Sequence, residues 1–146
     1  MGQYYYVVNI DKKQYLYPHK MGDGLKLWEM AAAGNCGKGL ILLLANGNGR
    51  GGGDFEEDPL VGSWCGDRIV VAGDYADKGV FVEDRELTEE ELQKVDNEYG
   101  EREKFKRTTD FNLHNLASLT YEDISLKVRE FLLNEGIKMS GRWDLH

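Results

Sequence analysis

Cysteine, proline and long apolar runs are all scarce in this chain of 146 residues, which has two cysteines and two prolines. Cys36 and Cys65 lack the spacing of a metal site, and thiols stay reduced in the cytosol, so both are predicted to be small apolar packing residues. The longest apolar run, residues 40–45, is too short to cross a bilayer. The first residues carry no basic segment ahead of an apolar one, so no secretory signal is predicted. We therefore expect a cytoplasmic protein with no membrane partner.

Positive charge is also in deficit. Lys and Arg number 18 against 26 Asp and Glu, which gives a net charge of −8 at pH 7. The densest basic stretch, residues 104–107, directly follows the acid-rich segment 83–103, which offsets it. A chain of this charge repels phosphate backbones and lacks the attraction that dominates nonspecific nucleic-acid binding. We therefore do not expect nucleic acid as a partner.

Four short segments have the composition of β-strands, in a chain whose length fits one domain. Residues 4–10 and 14–17 are rich in aromatic and β-branched side chains and flank a polar turn, which predicts an N-terminal hairpin. Residues 69–72 predict a core strand, and residues 80–82 predict its partner across a turn. The predicted fold class is α+β: a single compact domain over residues 1–146, with a mostly antiparallel sheet, the hairpin and three to four packed helices.

Helical signals occur in both halves of the chain. After Asp23, which is predicted to be an N-cap, residues 25–33 predict a short helix that buries Trp28 and ends at Gly34. Periodicity alone does not assign residues 40–45 to strand or helix, although their leucine content favours helix.

The segment 88–134 is predicted to be a helical C-terminal part. Thr88 with Glu91 has the pattern of a capping box, and Thr120 with Asp123 has a similar pattern. The second pattern, together with an apolar stripe, predicts a helix over residues 121–134 with a glycine stop beyond it.

Residues 46–53 are rich in glycine and are predicted to form a mobile loop. The stretch Gly47-Asn48-Gly49-Arg50-Gly51-Gly52 formally matches the glycine pattern of dinucleotide-binding loops. Those loops hold pyrophosphate at the N-terminus of a following helix, whereas the acidic residues 53–59 show no helical pattern. We therefore assign no dinucleotide site. The candidate ligand-binding residues of this loop are Gly47, Asn48, Gly49, Arg50 and Asp54.

Aspartates beside glycine-rich turns support a second hypothesis. Asp67, Asp74 and Asp77 supply hard oxygen ligands, and a fold that brought them together would hold Mg²⁺ or Mn²⁺ for phosphoester hydrolysis. His19 is the candidate general base. The simpler alternative is that the aspartates hydrogen-bond their own turns and that His19 is an ordinary turn residue, and we favour this alternative.

Five short sequence motifs lie in the first half of the chain. They are Met1-Gly2-Gln3-Tyr4-Tyr5, Pro18-His19-Lys20, Gly22-Asp23-Gly24-Leu25-Lys26, Gly62-Ser63-Trp64-Cys65-Gly66-Asp67-Arg68-Ile69-Val70 and Gly73-Asp74-Tyr75-Ala76-Asp77. Together they resemble a family of small uncharacterised bacterial and phage proteins. The resemblance implies a bacterial or phage intracellular setting. It transfers no catalytic residue, because that family has no established activity.

The lack of a defensible catalytic constellation is the main guide to function. Together with the long polar and glycine-rich segments, it favours a non-enzymatic intracellular binding or accessory protein that engages a protein or a small ligand. The alternative is a divalent-metal-dependent hydrolase of a nucleotide or other phosphoester, with Mg²⁺ or Mn²⁺ as its cofactor. A homo-oligomer formed along the edge of the N-terminal hairpin is compatible with either hypothesis.

Overall fold

The N-terminal hairpin forms the middle of a four-stranded sheet. The computed structural model describes residues 2–139. Its strands are β1 (Tyr5–Asn9), β2 (Gln14–Leu16), β3 (Ile69–Gly73) and β4 (Glu122–Asp123). The strand order is β3-β1-β2-β4, with β1 antiparallel to β2 and β3, and with β2 parallel to β4. The predicted hairpin is confirmed.

Helices lie before and after β3. They are α1 (Pro18–Met21), α2 (Leu27–Ala33), α3 (Asn35–Leu44), α4 (Glu89–Tyr99), α5 (Leu113–Thr120) and α6 (Ser125–Asn134), with 3₁₀ turns at Arg102–Lys104 and Thr108–Asp110. The fold is α+β, as the sequence predicted, but residues 2–139 contain six α-helices rather than the expected three to four. Within residues 2–139, none of the helices combines the length and the apolar character that crossing a bilayer requires.

Both faces of the sheet are covered. Successive side chains of a strand point to opposite sides, so neighbouring residues of β1 belong to different buried clusters. Val7 and Leu16 belong to a buried cluster that includes Trp64 and residues of α1, α2, α3 and α6. Val8 and Ile10 belong to a second cluster with residues of α5. A third cluster packs α4 against α5, and its buried members are Leu87, Val95, Phe111, Leu116 and Leu119.

The buried tryptophan is not the one that the sequence analysis chose. Trp64 has no exposed surface, and its Nε1 donates a hydrogen bond to Oε1 of Gln14 at 2.7 Å. Trp28 is 78% exposed on α2, so the prediction that it is buried is wrong. The short helix α2 buries only Met30, which leaves Trp28 on its solvent side.

Asp23 caps a helix, but not the predicted one. Its carboxylate is fully buried and accepts hydrogen bonds from the amides of Asn35 at 3.0 Å and Cys36 at 2.9 Å. These are the first two residues of α3, whereas α2 begins after Lys26 with no side-chain cap. Burial raises the pKa of Asp23 above its ordinary value, despite the opposing effect of these hydrogen bonds. Gly34 ends α2 in a left-handed conformation, as predicted.

The leucine-rich residues 40–44 are helical, as their composition favoured. They form the second half of α3, in which Leu42 and Leu43 are fully buried. Gly39 lies where α3 meets α6 and α1, because a Cβ there would be 2.9 Å from Cγ1 of Val128 and 3.2 Å from Cε of Met21. The close approach of these helices therefore depends on a glycine.

The strand predicted for residues 80–82 is absent, and this prediction is wrong. Those residues form turn and irregular structure, and β3 pairs with β1 instead. The ladder runs from Tyr5 opposite Gly73 to Asn9 opposite Ile69. This ladder of five residue pairs is longer than any ladder that the three residues 80–82 could form. Pairing of β3 with the distant β1 is therefore favoured over pairing with residues 80–82.

The helical C-terminal part is confirmed at its start and corrected in its middle. The amide of Glu91 donates to Oγ1 of Thr88 at 3.2 Å, and the amide of Thr88 donates to Oε1 of Glu91 at 2.9 Å, so the capping box is present. Thr120 does not begin a helix, because it is the last residue of α5.

The chain then joins the sheet as β4 before it enters α6. The amide of Ser125 donates to Oδ1 of Asp123 at 2.9 Å, which fixes this start. The predicted helix over residues 121–134 is therefore shortened to Ser125–Asn134, because residues 122–123 pair with β2.

Candidate functional site

The glycine-rich loop binds its own carboxylate. Oδ2 of Asp54 accepts hydrogen bonds from the amides of Gly49 and Arg50, both at 2.9 Å, and of Gly51 at 3.2 Å. Oδ1 of Asn48 accepts the amide of Phe55 at 2.9 Å. The amide hydrogen bonds lower the pKa of Asp54. An external anion would have to displace this carboxylate before it reached the same amides.

The predicted ligand-binding residues are Gly47, Asn48, Gly49, Arg50 and Asp54. Among them, the amides of Gly49 and Arg50 and the carboxylate of Asp54 bind one another within the loop. Binding by this loop stays a prediction that the geometry does not strengthen.

The three aspartates of the metal hypothesis do not share a site. Oδ2 of Asp67 accepts hydrogen bonds from Nδ2 of Asn9 at 2.9 Å and Nζ of Lys12 at 2.8 Å, beside the start of β3. Oδ1 of Asp74 accepts the amide of Tyr4 at 2.9 Å, beyond the end of β3. At about 3.3 Å per residue the two lie about 20 Å apart, whereas ligands of one Mg²⁺ lie about 2 Å from it.

Asp77 follows Asp74 in an exposed turn and does not bridge this distance. Among residues 2–139, no three His, Cys, Asp or Glu side chains form a group suited to a metal ion. The proposed triad is therefore corrected. The simpler alternative is also corrected for Asp67 and Asp74, because their carboxylates bond Asn9, Lys12 and Tyr4 in the distant N-terminal segment rather than their own turns. His19 lies in the short helix α1, with its ring 5.7 Å from the ring of Tyr17, and donates to none of the three aspartates.

The edge strands of the sheet are β3 and the two-residue β4, not the hairpin. Both strands of the hairpin are interior, so the predicted oligomer edge is not available. The amide of Ile10 donates to the carbonyl of Arg68, and the amide of Asp74 donates to the carbonyl of Tyr4. Because antiparallel pairs alternate, residues 70 and 72 also face β1, and residues 69, 71 and 73 present their amides outward.

These outward groups have few partners. Within residues 2–139 no hydrogen bond reaches the amide or carbonyl of Val71 or of Ile69, and the carbonyl of Gly73 accepts the amide of Ala76 at 3.2 Å. The side chain of Val71 is 45% exposed. Proteins that keep an edge free usually blunt it with charge or proline, and Ile69–Gly73 contains neither.

A groove of about 460 Å³ runs along this edge. One wall is β3 itself, and the other is the segment that follows it, with Tyr75, Val80 and Phe81 exposed. Leu113 of α5 also lines the groove. The lining is mainly apolar, so the groove suits a hydrophobic side chain.

Phe81 is the unusual residue of this groove. Its φ is 60°, a left-handed conformation that bulky residues avoid, and its side chain is 59% exposed. Such strain costs about 1–3 kcal/mol, and little burial offsets it here. Phe81 also borders a second, more polar cavity of about 440 Å³ with Arg68 and Tyr121. Strain kept at an exposed ring between two cavities marks the site more clearly than any sequence motif does.

Opposite charges lie at the two ends of β3. At its start, Arg68 donates to Oδ1 of Asp11 at 2.7 Å from Nη2 and 3.0 Å from Nε, and this contact holds the pKa of Asp11 below its ordinary value. The Arg68 side chain remains 70% exposed. Beyond the end of β3 stands the carboxylate of Asp74. The edge therefore has an exposed guanidinium, paired with Asp11, at one end and a carboxylate at the other.

A buried imidazole lies on the opposite side of α5 from solvent. His114 stacks on Tyr6, with ring centroids 3.9 Å apart and planes at 14°. Its Nδ1 lies within hydrogen-bonding distance of Oδ1 of Asn115, at 2.9 Å, and its buried Nε2 has no hydrogen-bond partner among residues 2–139. Burial lowers the pKa of His114, and burial also raises the pKa of Tyr6 to about 12. This pair is a packing element with one unsatisfied atom.

Comparisons with protein families, with curated proteins and with solved structures find no match to this chain. The argument for function therefore rests on the geometry of the β3 edge. Sequence reasoning missed this site because it paired β3 with residues 80–82. The available signal was an uncharged β-branched strand with no proline.

Proposed function

We propose that this protein is a non-enzymatic binding protein whose β3 edge takes an extended polypeptide as an additional strand of the sheet. The observation that carries the proposal is the set of unpaired backbone groups at Ile69 and Val71. Strand addition of this kind draws affinity from backbone hydrogen bonds and specificity from pockets for alternate side chains.

The groove beside β3 defines the polypeptide that fits. A strand paired with β3 places every second side chain on the face of Val70 and Ala72, where the groove opens. That side chain meets Val80 and Phe81, so a large apolar residue is favoured there.

The proposal keeps the class of function that the sequence favoured and moves its site from the glycine loop to the sheet edge. The metal-dependent hydrolase is not retained, because Asp67 and Asp74 lie at opposite ends of β3. We also propose a bacterial or phage setting and a cytoplasmic location, which are supported only by the sequence resemblance and the composition.

The test is selection of random displayed dodecapeptides against the protein, followed by affinity measurements with the enriched peptides as synthetic probes. Val71→Pro removes the outward amide, and proline is tolerated on an edge strand at a position whose N–H faces solvent. Val71→Thr is the matched control, since it retains the amide and a β-branched shape. Circular dichroism checks that both variants fold.

We expect enrichment of peptides in which apolar residues alternate with polar ones. Their affinity for Val71→Thr should lie within about threefold of their affinity for the wild type. Their affinity for Val71→Pro should be at least about tenfold lower, which corresponds to about 1.4 kcal/mol. Enriched peptides that bind Val71→Pro as tightly as wild type would show that the edge is not the site. Enrichment of no peptide above background, by protein that is monomeric at the concentration used for selection, also overturns the proposal.

A further inference from the structure

The register of β3 suits one particular strand, a second β3. We propose that the polypeptide bound at this edge is β3 of a second copy of this chain, in an antiparallel pair centred on Val71. This inference rests on the proposed function, because it names the partner of the same site. The two four-stranded sheets would then join into one continuous sheet through a twofold axis.

Backbone geometry permits this pairing. In an antiparallel pair centred on Val71, Val71 of one copy lies opposite Val71 of the other, and Ile69 lies opposite Gly73. All three residues present their amides outward, so each opposed pair is of the hydrogen-bonded kind. The carbonyl of Gly73 already accepts the amide of Ala76, so it would be shared with the amide of Ile69 from the other copy. The unpaired amide and carbonyl of Val71 satisfy each other across the axis.

Charge complementarity selects this register. The same pairing places Arg68 of one copy opposite Asp74 of the other, and the twofold axis repeats the contact. These residues face β1 within their own sheet, so across the new interface they form a non-hydrogen-bonded pair, in which side chains approach closely. Shifting the register by two residues moves Arg68 away from Asp74 and loses both contacts.

The composition of the edge supports a partner that is always present. Ile69–Gly73 has no lysine, proline or other charge to discourage strand pairing. The chain carries a net charge of −8, so two copies repel each other overall. Association therefore needs local attraction. Arg68 already pairs with Asp11, but its side chain remains 70% exposed, and its additional contact with Asp74 of the other copy supplies this attraction.

The test uses sedimentation velocity on the full-length wild type and on two charge variants. Arg68→Asp opposes two carboxylates in the self-pair, and Asp74→Arg opposes two guanidinium groups. Each should weaken self-association at least about tenfold, because two symmetry-related contacts change from attraction to repulsion. An equimolar mixture restores both attractions, so it should form a heterodimer with an affinity within about threefold of the wild-type dimer.

The mixture controls for folding, since each variant must be folded to form the heterodimer. A wild type that is monomeric up to about 1 mM overturns the inference, as does a dimer that survives both single charge reversals or a mixture that stays monomeric. The proposed function and this inference can be distinguished. If the wild type is monomeric but binding of the selected peptides still depends on the amide of Val71, the edge binds polypeptide and only the identity of the partner is wrong.

Discussion

Two aspartates with similar hydrogen bonds provide a test of what burial contributes to this fold. Asp23 accepts two backbone amides at the start of α3 with no exposed surface, and Asp54 accepts three backbone amides in an exposed loop. We expect Asp23→Ala to be strongly destabilising and Asp54→Ala to be nearly neutral, although Asp54 makes more hydrogen bonds.

The magnitude follows from what replaces the carboxylate. Without Asp23, the amides of Asn35 and Cys36 stay buried and unpaired, and each such donor costs about 1–3 kcal/mol, or about 2–6 kcal/mol together. Without Asp54, water reaches the loop amides, so the cost is below about 1 kcal/mol. For a chain of this length, about 3 °C of melting temperature corresponds to 1 kcal/mol, so Asp23→Ala should melt at least about 6 °C below the wild type.

Urea unfolding followed by circular dichroism at 222 nm measures both variants, and Asp23→Asn is the matched control. The Asn variant keeps a carbonyl acceptor and is neutral, and burial already favours the neutral form of Asp23. It should therefore lose less stability than Asp23→Ala. An Asp23→Ala variant that loses no more stability than Asp54→Ala would refute the assignment of Asp23 as the buried cap of α3.

Three further predictions concern packing and pH. Gly39→Ala should destabilise the protein by about 1–3 kcal/mol, because the new Cβ would overlap α6. Gly37→Ala has open space in the same helix and should stabilise the protein by about 0.5–1 kcal/mol. If both variants change the free energy of unfolding in urea in the same direction, the close contact of Gly39 with α6 is contradicted. Trp64→Phe should lower stability by at least about 1 kcal/mol and Trp28→Phe by less than about 0.5 kcal/mol, and the reverse order would contradict their burial. Burial lowers the pKa of His114 from its ordinary 6.5, so as pH falls the imidazole is protonated in the unfolded chain before it is protonated in the folded protein. The free energy of unfolding should therefore fall as pH drops below about 6.5. His114→Phe should flatten this part of the profile of stability against pH, and an unchanged slope would count against the lowered pKa.

Local chemistry was sufficient to predict several elements. The hairpin follows from β-branched and aromatic residues around a polar turn, the start of α4 follows from Thr88 and Glu91, and the end of α2 follows from Gly34. Each of these signals depends on residues within a few positions of one another. The chain therefore carries them wherever the rest of the protein lies.

Tertiary structure decided the features whose partners are distant in sequence. Burial went to Trp64 because the hairpin and α3 enclose it, and Asp23 caps α3 because a turn of the chain returns to it. The pairing of β3 with β1 joins residues 60 to 68 positions apart, and it leaves the outer edge of β3 free. The same pairing separates Asp67 from Asp74 and brings Phe81 beside the edge.

The amino-acid sequence by itself therefore determined the class of fold, the capping box of α4, the glycine stop of α2 and the lack of a catalytic motif, because these depend on composition and short-range patterns. Only the tertiary structure decided which strand is exposed, which helix Asp23 caps and which aromatic residue has a strained backbone. Those outcomes depend on competition among distant segments for the same backbone partners and the same buried space.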